Sequence, residues 1–118
     1  MQLEGWLEKK TIFGLWLKRY FILLLGKLSI YKEPSIPIPE SSFELDSQTT
    51  VETISNDNKL KVIIQKPKVV TLILRASSTN EMIDWVFHLR RAAFTNKTLY
   101  ITLFRERFLN LYLIQAKF

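Results

Sequence analysis

The stretch "SSTNEMIDWVFHLRRAAF", Ser77 to Phe94, is where the rhythm of the chain changes. Ser78 followed three residues later by Glu81 is a capping-box signature, in which each side chain satisfies a free backbone N–H at a helix start. Met82, Trp85, Val86, Leu89 and Ala93 then recur at helical spacing and form one apolar stripe. Arg90 and Arg91 fall near the end, where cations suit the helix dipole. The spacing predicts one amphipathic helix. A second apolar stripe, Ile83, Phe87 and Phe94, lies on another side of it, and one sheet cannot cover both.

Upstream the pattern is that of strands. "LEGWLEKK" (3–10), "LKRYFILLL" (17–25) and "LSIYKE" (28–33) read as three of them, with Gly26-Lys27 marking a tight hairpin. "KRYFILL" is too apolar for clean alternation, which predicts a strand buried on much of both faces. "PSIPIPESS" (34–42) carries three prolines in six residues and reads as a loop or ragged edge. "SFELDS", "TVETIS", "LKVIIQK" and "VVTLILRA" follow as four short strands, with turns at "NDN" (56–58) and Pro67-Lys68. Seven strands at hairpin spacing before one helix predict a mainly β, antiparallel sandwich or partly open barrel. Trp6, Phe21, Leu23, Leu25 and Trp85 are expected inside it, and Trp16 in the core or at the barrel mouth.

The 118 residues suit one domain, and 47% apolar residues argue against disorder. With no cysteine, disulfides and thiolate metal sites are excluded, which fits a reducing, cytoplasmic setting. Neither a secretory signal nor an uncharged apolar run of membrane-spanning length is visible. Gly5, Gly14 and Gly26 match no phosphate-cradling glycine motif, and no metal-ligand cluster is present. His88 stands one helical turn after Asp84 without a nucleophile or second base. No enzyme, cofactor or metal is expected.

The net charge of +6 is unevenly placed. Residues 1–32 carry six Lys/Arg against two Glu, residues 33–58 six Asp/Glu and no cation, residues 59–118 eleven cations against three acids. A basic pole of this kind attracts polyanions, either nucleic acid or an anionic leaflet. No ribonucleoprotein-type aromatic motif appears, so membrane rather than nucleic acid is the expected partner.

The domain is expected over residues 1–95, with 96–118 as an apolar extension. "TLYITLFRERFLNLYLIQAKF" (98–118) is interrupted only by Arg105-Glu106-Arg107 and Lys117. Phe104, Phe108, Leu111 and Tyr112 fit a helical face, while "LYITLF" reads equally as strand. Residues 99–118 are open to three roles: covering the second helix stripe, self-association or another protein contact, or belonging beyond a domain boundary.

In order along the chain, "EGWLEKK", "WLKRYFILL", "LSIYKEP" and a last helix with a single tryptophan, Trp85, resemble the pleckstrin homology (PH) family over residues 2 to about 95. The resemblance implies two near-orthogonal antiparallel sheets closed by the helix, with charge polarised toward the loop end. It implies a phosphoinositide head-group site built by Lys9, Arg19, Tyr31 and Lys32. Arginine offers a planar fork to phosphate, and lysine a point charge. This sequence departs from the family's binding signature at Leu17, where a basic residue two before Arg19 belongs; Lys18 falls on the opposite strand face. That argues against tight selection of a 3-phosphorylated lipid.

The loop "KKTIFGLWLKR" (9–19) sits at this site, with an apolar centre between basic pairs. Lys10 and Lys18 are expected to add general attraction to an anionic membrane. Five cations at about 1 kcal/mol each (Lys9, Lys10, Lys18, Arg19, Lys32) give only roughly submillimolar affinity. Shallow insertion of Ile12, Phe13 and Leu15 would add to it, unless those side chains pack under the barrel or on a partner. The expected function is a non-enzymatic module recruited peripherally from the cytoplasm to anionic lipids. The alternative is a protein-interaction module using the scaffold and apolar tail.

Overall fold

The computed structural model describes residues 2–54 and 57–95, so the predicted extension at 96–118 lies outside the described residues. Seven strands precede one helix: β1 (Gln2–Lys10), β2 (Trp16–Leu24), β3 (Lys27–Tyr31), β4 (Ser41–Glu44), β5 (Thr50–Ile54), β6 (Lys59–Ile64) and β7 (Val70–Arg75), then α1 over 79–95. Every pairing is antiparallel, in the order β4-β3-β2-β1-β7-β6-β5. Among the described residues β4 and β5 are the two edges of this order, which leaves the sheet unclosed between them. The two halves form one hydrogen-bonded sheet because β1 pairs with both β2 and β7. The second pairing is short, only Glu8 with Arg75 and Lys9 with Leu74.

The β1–β2 register runs without a bulge from Gln2↔Leu24 to Lys10↔Trp16, so side-chain parity holds along the whole hairpin. Odd residues face the core. Leu7, Phe21 and Leu23 are buried, and a Cβ added at Gly5 would meet the Trp85 ring at 4.0 Å. Trp6 falls on the even, outer face and is 39% exposed, correcting its expected burial. There its ring meets Tyr20 edge-on at 5.3 Å. Alternation in β6 and β7 turns Leu60, Val62, Ile64, Leu72 and Leu74 inward to complete the core.

The β2–β3 turn is displaced by one residue from its predicted place. The last pair is Leu24↔Lys27, leaving Leu25-Gly26 as the turn, with φ of 51° and 76°. A two-residue connection matching the strand twist needs positive φ at both central positions, so Leu25 is drawn into the left-handed region and out of the core. It is 79% exposed, where sequence reasoning expected burial.

Residues 77–94 behave as their spacing predicts. Ser78 Oγ accepts the Glu81 N–H at 3.1 Å, and the Glu81 carboxylate accepts the Ser77 N–H at 3.2 Å and the Ser77 hydroxyl. Trp85, Val86, Leu89 and Ala93 are buried, with Met82 packed against them. Trp85 meets Phe21 edge-to-face at 6.2 Å, so the helix closes directly on β2. Arg90 Nε donates to the Val51 carbonyl at 2.8 Å and ties the helix to edge strand β5. Ile83, Phe87 and Phe94 remain exposed beside a groove of about 580 Å³.

Candidate functional site

Thr11 closes the turn between β1 and β2. Its N–H donates to the Leu15 carbonyl (2.7 Å), its own carbonyl accepts from Gly14 N–H (3.0 Å), and its Oγ1 accepts from Leu15 N–H (3.1 Å). Gly14 sits at φ 80°, with open space around its Cα. This pinch turns the apolar side chains outward: Ile12 is 94% exposed, Phe13 84% and Leu15 64%. They do not pack beneath the sheet.

The two basic pairs flanking the turn divide between the sheet faces. Leu7↔Arg19 and Lys9↔Leu17 share the inner face that continues into the core, so Lys9 and Arg19 are diagonal neighbours at its mouth. Leu17 stands directly opposite Lys9, where a second cation would have faced it. The Arg19 side chain is only 18% exposed and already engaged. Nε donates to Glu40 Oε2 at 3.1 Å, and Nη1 donates to the Lys18 carbonyl at 2.9 Å.

Lys10 and Lys18 fall on the outer face. Lys18 lies over the Trp6 ring at 5.1 Å. Trp16 is half-buried on that face and not in the core cluster, so of its two expected places the core is excluded. Its register opposite Lys10 turns it away from the core, and its ring carries Lys10 at 5.9 Å, Lys59 at 5.7 Å and the Arg75 guanidinium at 4.3 Å. Arg75 also grips Glu8 with two N–H donors at 3.0 and 3.1 Å, and Lys59 pairs with Asp57 at 3.3 Å. The hydrogen bond from Arg75 holds the Glu8 carboxyl below its ordinary value of 4.5, and the same bond raises the Arg75 pKa. Burial raises the Tyr20 phenol, helped by its hydrogen bond to Glu4 at 3.0 Å.

Of the four residues that the family resemblance assigned to the head group, the structure brings Lys9 and Arg19 together on one face. Tyr31 pairs with Tyr20, so its register places it on the outer face. Lys32 is exposed, one residue past the end of β3. Sequence reasoning missed Glu40, Lys59 and Arg75. Their recruitment depends on the register of strands far apart in the chain, which leaves no local pattern. Among the described residues no group of three His, Cys, Asp or Glu could hold a metal, and no helix is long and apolar enough to cross a membrane. His88 Nδ1 contacts the backbone carbonyl of Asp84 at 2.7 Å, not its carboxylate.

Comparison with known proteins agrees with this architecture. The model of a family described as PH domain matches residues 1–94. Mouse Rho GTPase-activating protein 25 is 30% identical over 102 residues, which take in 77% of this chain and 16% of that protein. The chain therefore spans about a sixth of the length of the curated relatives it matches. The C-terminal PH domain of pleckstrin, solved with an inositol pentakisphosphate, superposes with a TM-score of 0.68 at 22% identity, covering 77% of this chain and 96% of that one. The Slm1 PH domain, solved with inositol 4-phosphate, gives 0.67 at 22% identity, covering 77% and 94%.

Proposed function

The chain belongs to the PH-domain family, and from that premise we propose that it is a peripheral membrane-binding module for phosphorylated inositol head groups. The observation that carries this reading is the turn Ile12–Leu15: exposed apolar side chains at the tip of a hairpin with cations on both faces of its base. An aqueous surface gains nothing from that arrangement. An anionic leaflet meets it with acyl chains for the tip and phosphates for the cations.

The inner-face pair Lys9 and Arg19 contacts the head-group phosphates, with Lys32 at the rim. Lys10 and Lys18 act at longer range from the other face. We leave Tyr31 out of the proposed phosphate set because its register puts it on the outer face. Full burial of one large apolar side chain contributes about 1.5–3 kcal/mol, so shallow insertion of three adds roughly 4 kcal/mol to the electrostatic term and brings affinity to about micromolar. The solved pleckstrin and Slm1 complexes with inositol phosphates support the ligand class. With Leu17 opposite Lys9, affinity should depend more on phosphate number than on one phosphate position.

Co-sedimentation with vesicles carrying a panel of phosphoinositides tests the reading. Wild type should bind, and the Lys9→Ala/Arg19→Ala double variant should not. Equal binding of the two would refute the site.

A second reading has its own observation, the exposed stripe Ile83, Phe87 and Phe94 on α1. It assigns that face a protein contact, or a contact made by residues 99–118 within or between chains. Truncation after Asn96, followed by mass measurement across concentration, tests it. Self-association that survives the truncation would remove the tail from that role.

A further inference from the structure

We infer that Glu40 is a built-in competitor for Arg19, an internal anion that a ligand phosphate must displace before it can use the guanidinium. This rests on the head-group site proposed above and adds a residue that sets its threshold.

Glu40 does not reach Arg19 by chance of a mobile loop. Its own N–H donates to the Ile30 carbonyl at 2.8 Å, and the next residue, Ser41, starts β4 in register with Ile30. Pro39 precedes it with a fixed φ. The backbone of Glu40 is therefore pinned at the sheet end, two strands away from Arg19, and its carboxylate spans β3 to reach Nε at 3.1 Å. With Nη1 on the Lys18 carbonyl, two edges of the guanidinium are already committed. A phosphate seeking the Nε/Nη2 fork finds an acid there whose tether gives it a high effective concentration.

The penalty is the same for every ligand that uses Arg19, whatever else that ligand touches. A head group with several further phosphate contacts overcomes it. One with few does not. Glu40 thus sets a threshold for every ligand that uses Arg19, raising the affinity that the rest of the ligand must bring, and its side chain, 38% exposed, has room to swing away once displaced.

The test is a four-way comparison of wild type, Glu40→Gln, Arg19→Ala and the double variant. Each is titrated with phosphatidylcholine vesicles carrying a few per cent of a bis-phosphorylated phosphoinositide, and with the soluble inositol polyphosphate head group. Removing a partly exposed competing charge should tighten binding about three- to tenfold in both titrations, and the gain should vanish without Arg19. A gain that persists in the Arg19→Ala background would make Glu40 a general surface charge and overturn the inference. So would a gain seen with vesicles alone. If Glu40→Gln equals wild type while Arg19→Ala weakens binding, Glu40 is no competitor and the head-group site still stands. If Arg19→Ala changes nothing, that site has failed and the inference with it. Should Glu40→Gln fold poorly, the Arg19 Nε–H resonance of the wild type decides. A protected signal that moves when the soluble head group is added supports displacement, and one already exchanging freely in the unliganded protein refutes it.

Discussion

The two faces of the β1–β2 hairpin carry nearly the same charges and treat them differently. On the inner face Arg19 is held by one carboxylate, Glu40, with Lys9 as its diagonal neighbour across the hairpin. On the outer face Lys10, Lys59 and Arg75 lie across Trp16, and Glu8 and Asp57 neutralise two of them. Cations spread on indole rings and paired with acids mainly brace the hairpin. Two cations that share one face as diagonal neighbours are the pair proposed to take a polyanion in common. The lesson is that a basic sequence cluster is not one site. The pleat decides which charges cooperate.

If the faces differ in this way, separate variants should separate the effects. The largest belongs to the inner face: Lys9→Ala/Arg19→Ala removes two charge-assisted phosphate contacts worth roughly 1.5–3 kcal/mol each, so vesicle affinity should fall more than about a hundredfold with little change in Tm. Phe13→Ser comes next. Loss of part of the inserted apolar area should weaken vesicle binding by about tenfold while leaving affinity for the soluble head group unchanged. Equal loss in both titrations would deny the tip its membrane role.

The outer-face variant Lys10→Ala/Lys18→Ala should cost less, about three- to fivefold, because these ammoniums act at longer range. The deficit should shrink as salt is raised, since screened attraction is all that they supply. A salt-independent loss would move them into the phosphate site. At the far end of the hairpin, Leu25→Asn replaces a leucine in the left-handed region by a residue that tolerates it, and should stabilise the fold by about 0.5–1 kcal/mol without touching binding.

The smallest effect concerns the outer ion pair. Folding lowers the Glu8 pKa below 4.5, so its contribution is present above that pH and disappears as pH falls through the folded value. Acid titration of stability should therefore be slightly steeper in wild type than in Glu8→Gln. No difference between them below pH 4.5 would mean the pair contributes nothing in solution.

Much of the fold was legible in the chain because its signals are local. The capping box at Ser78 and Glu81, the stripe through Trp85 and Leu89, and the alternation of "LKVIIQK" each depend on neighbours within a turn or two. The errors share one cause. Trp6 and Leu25 are large and apolar and so read as core residues, yet register parity puts Trp6, like Trp16, on the outer face and turn geometry exposes the leucine. For the site, Lys9 and Arg19 could be named from family likeness, and Lys10 and Lys18 from composition. Their separation onto two faces could not be read without a register.

By itself, then, the sequence determined the seven strands and the closing helix, the charge polarity, and the apolar turn between basic pairs. These follow from periodicity, turn chemistry and composition, all properties of short windows. Only the tertiary structure decided that Glu40 meets Arg19 from 21 residues away and that Arg75 meets Glu8 from 67 residues away. Such partners are chosen by which strands lie side by side and in what register. That choice belongs to the core as a whole: burying Leu7, Phe21, Leu60 and Leu74 against Trp85 and Leu89 leaves one alignment of the sheet, and the surface charges take the neighbours that this alignment gives them.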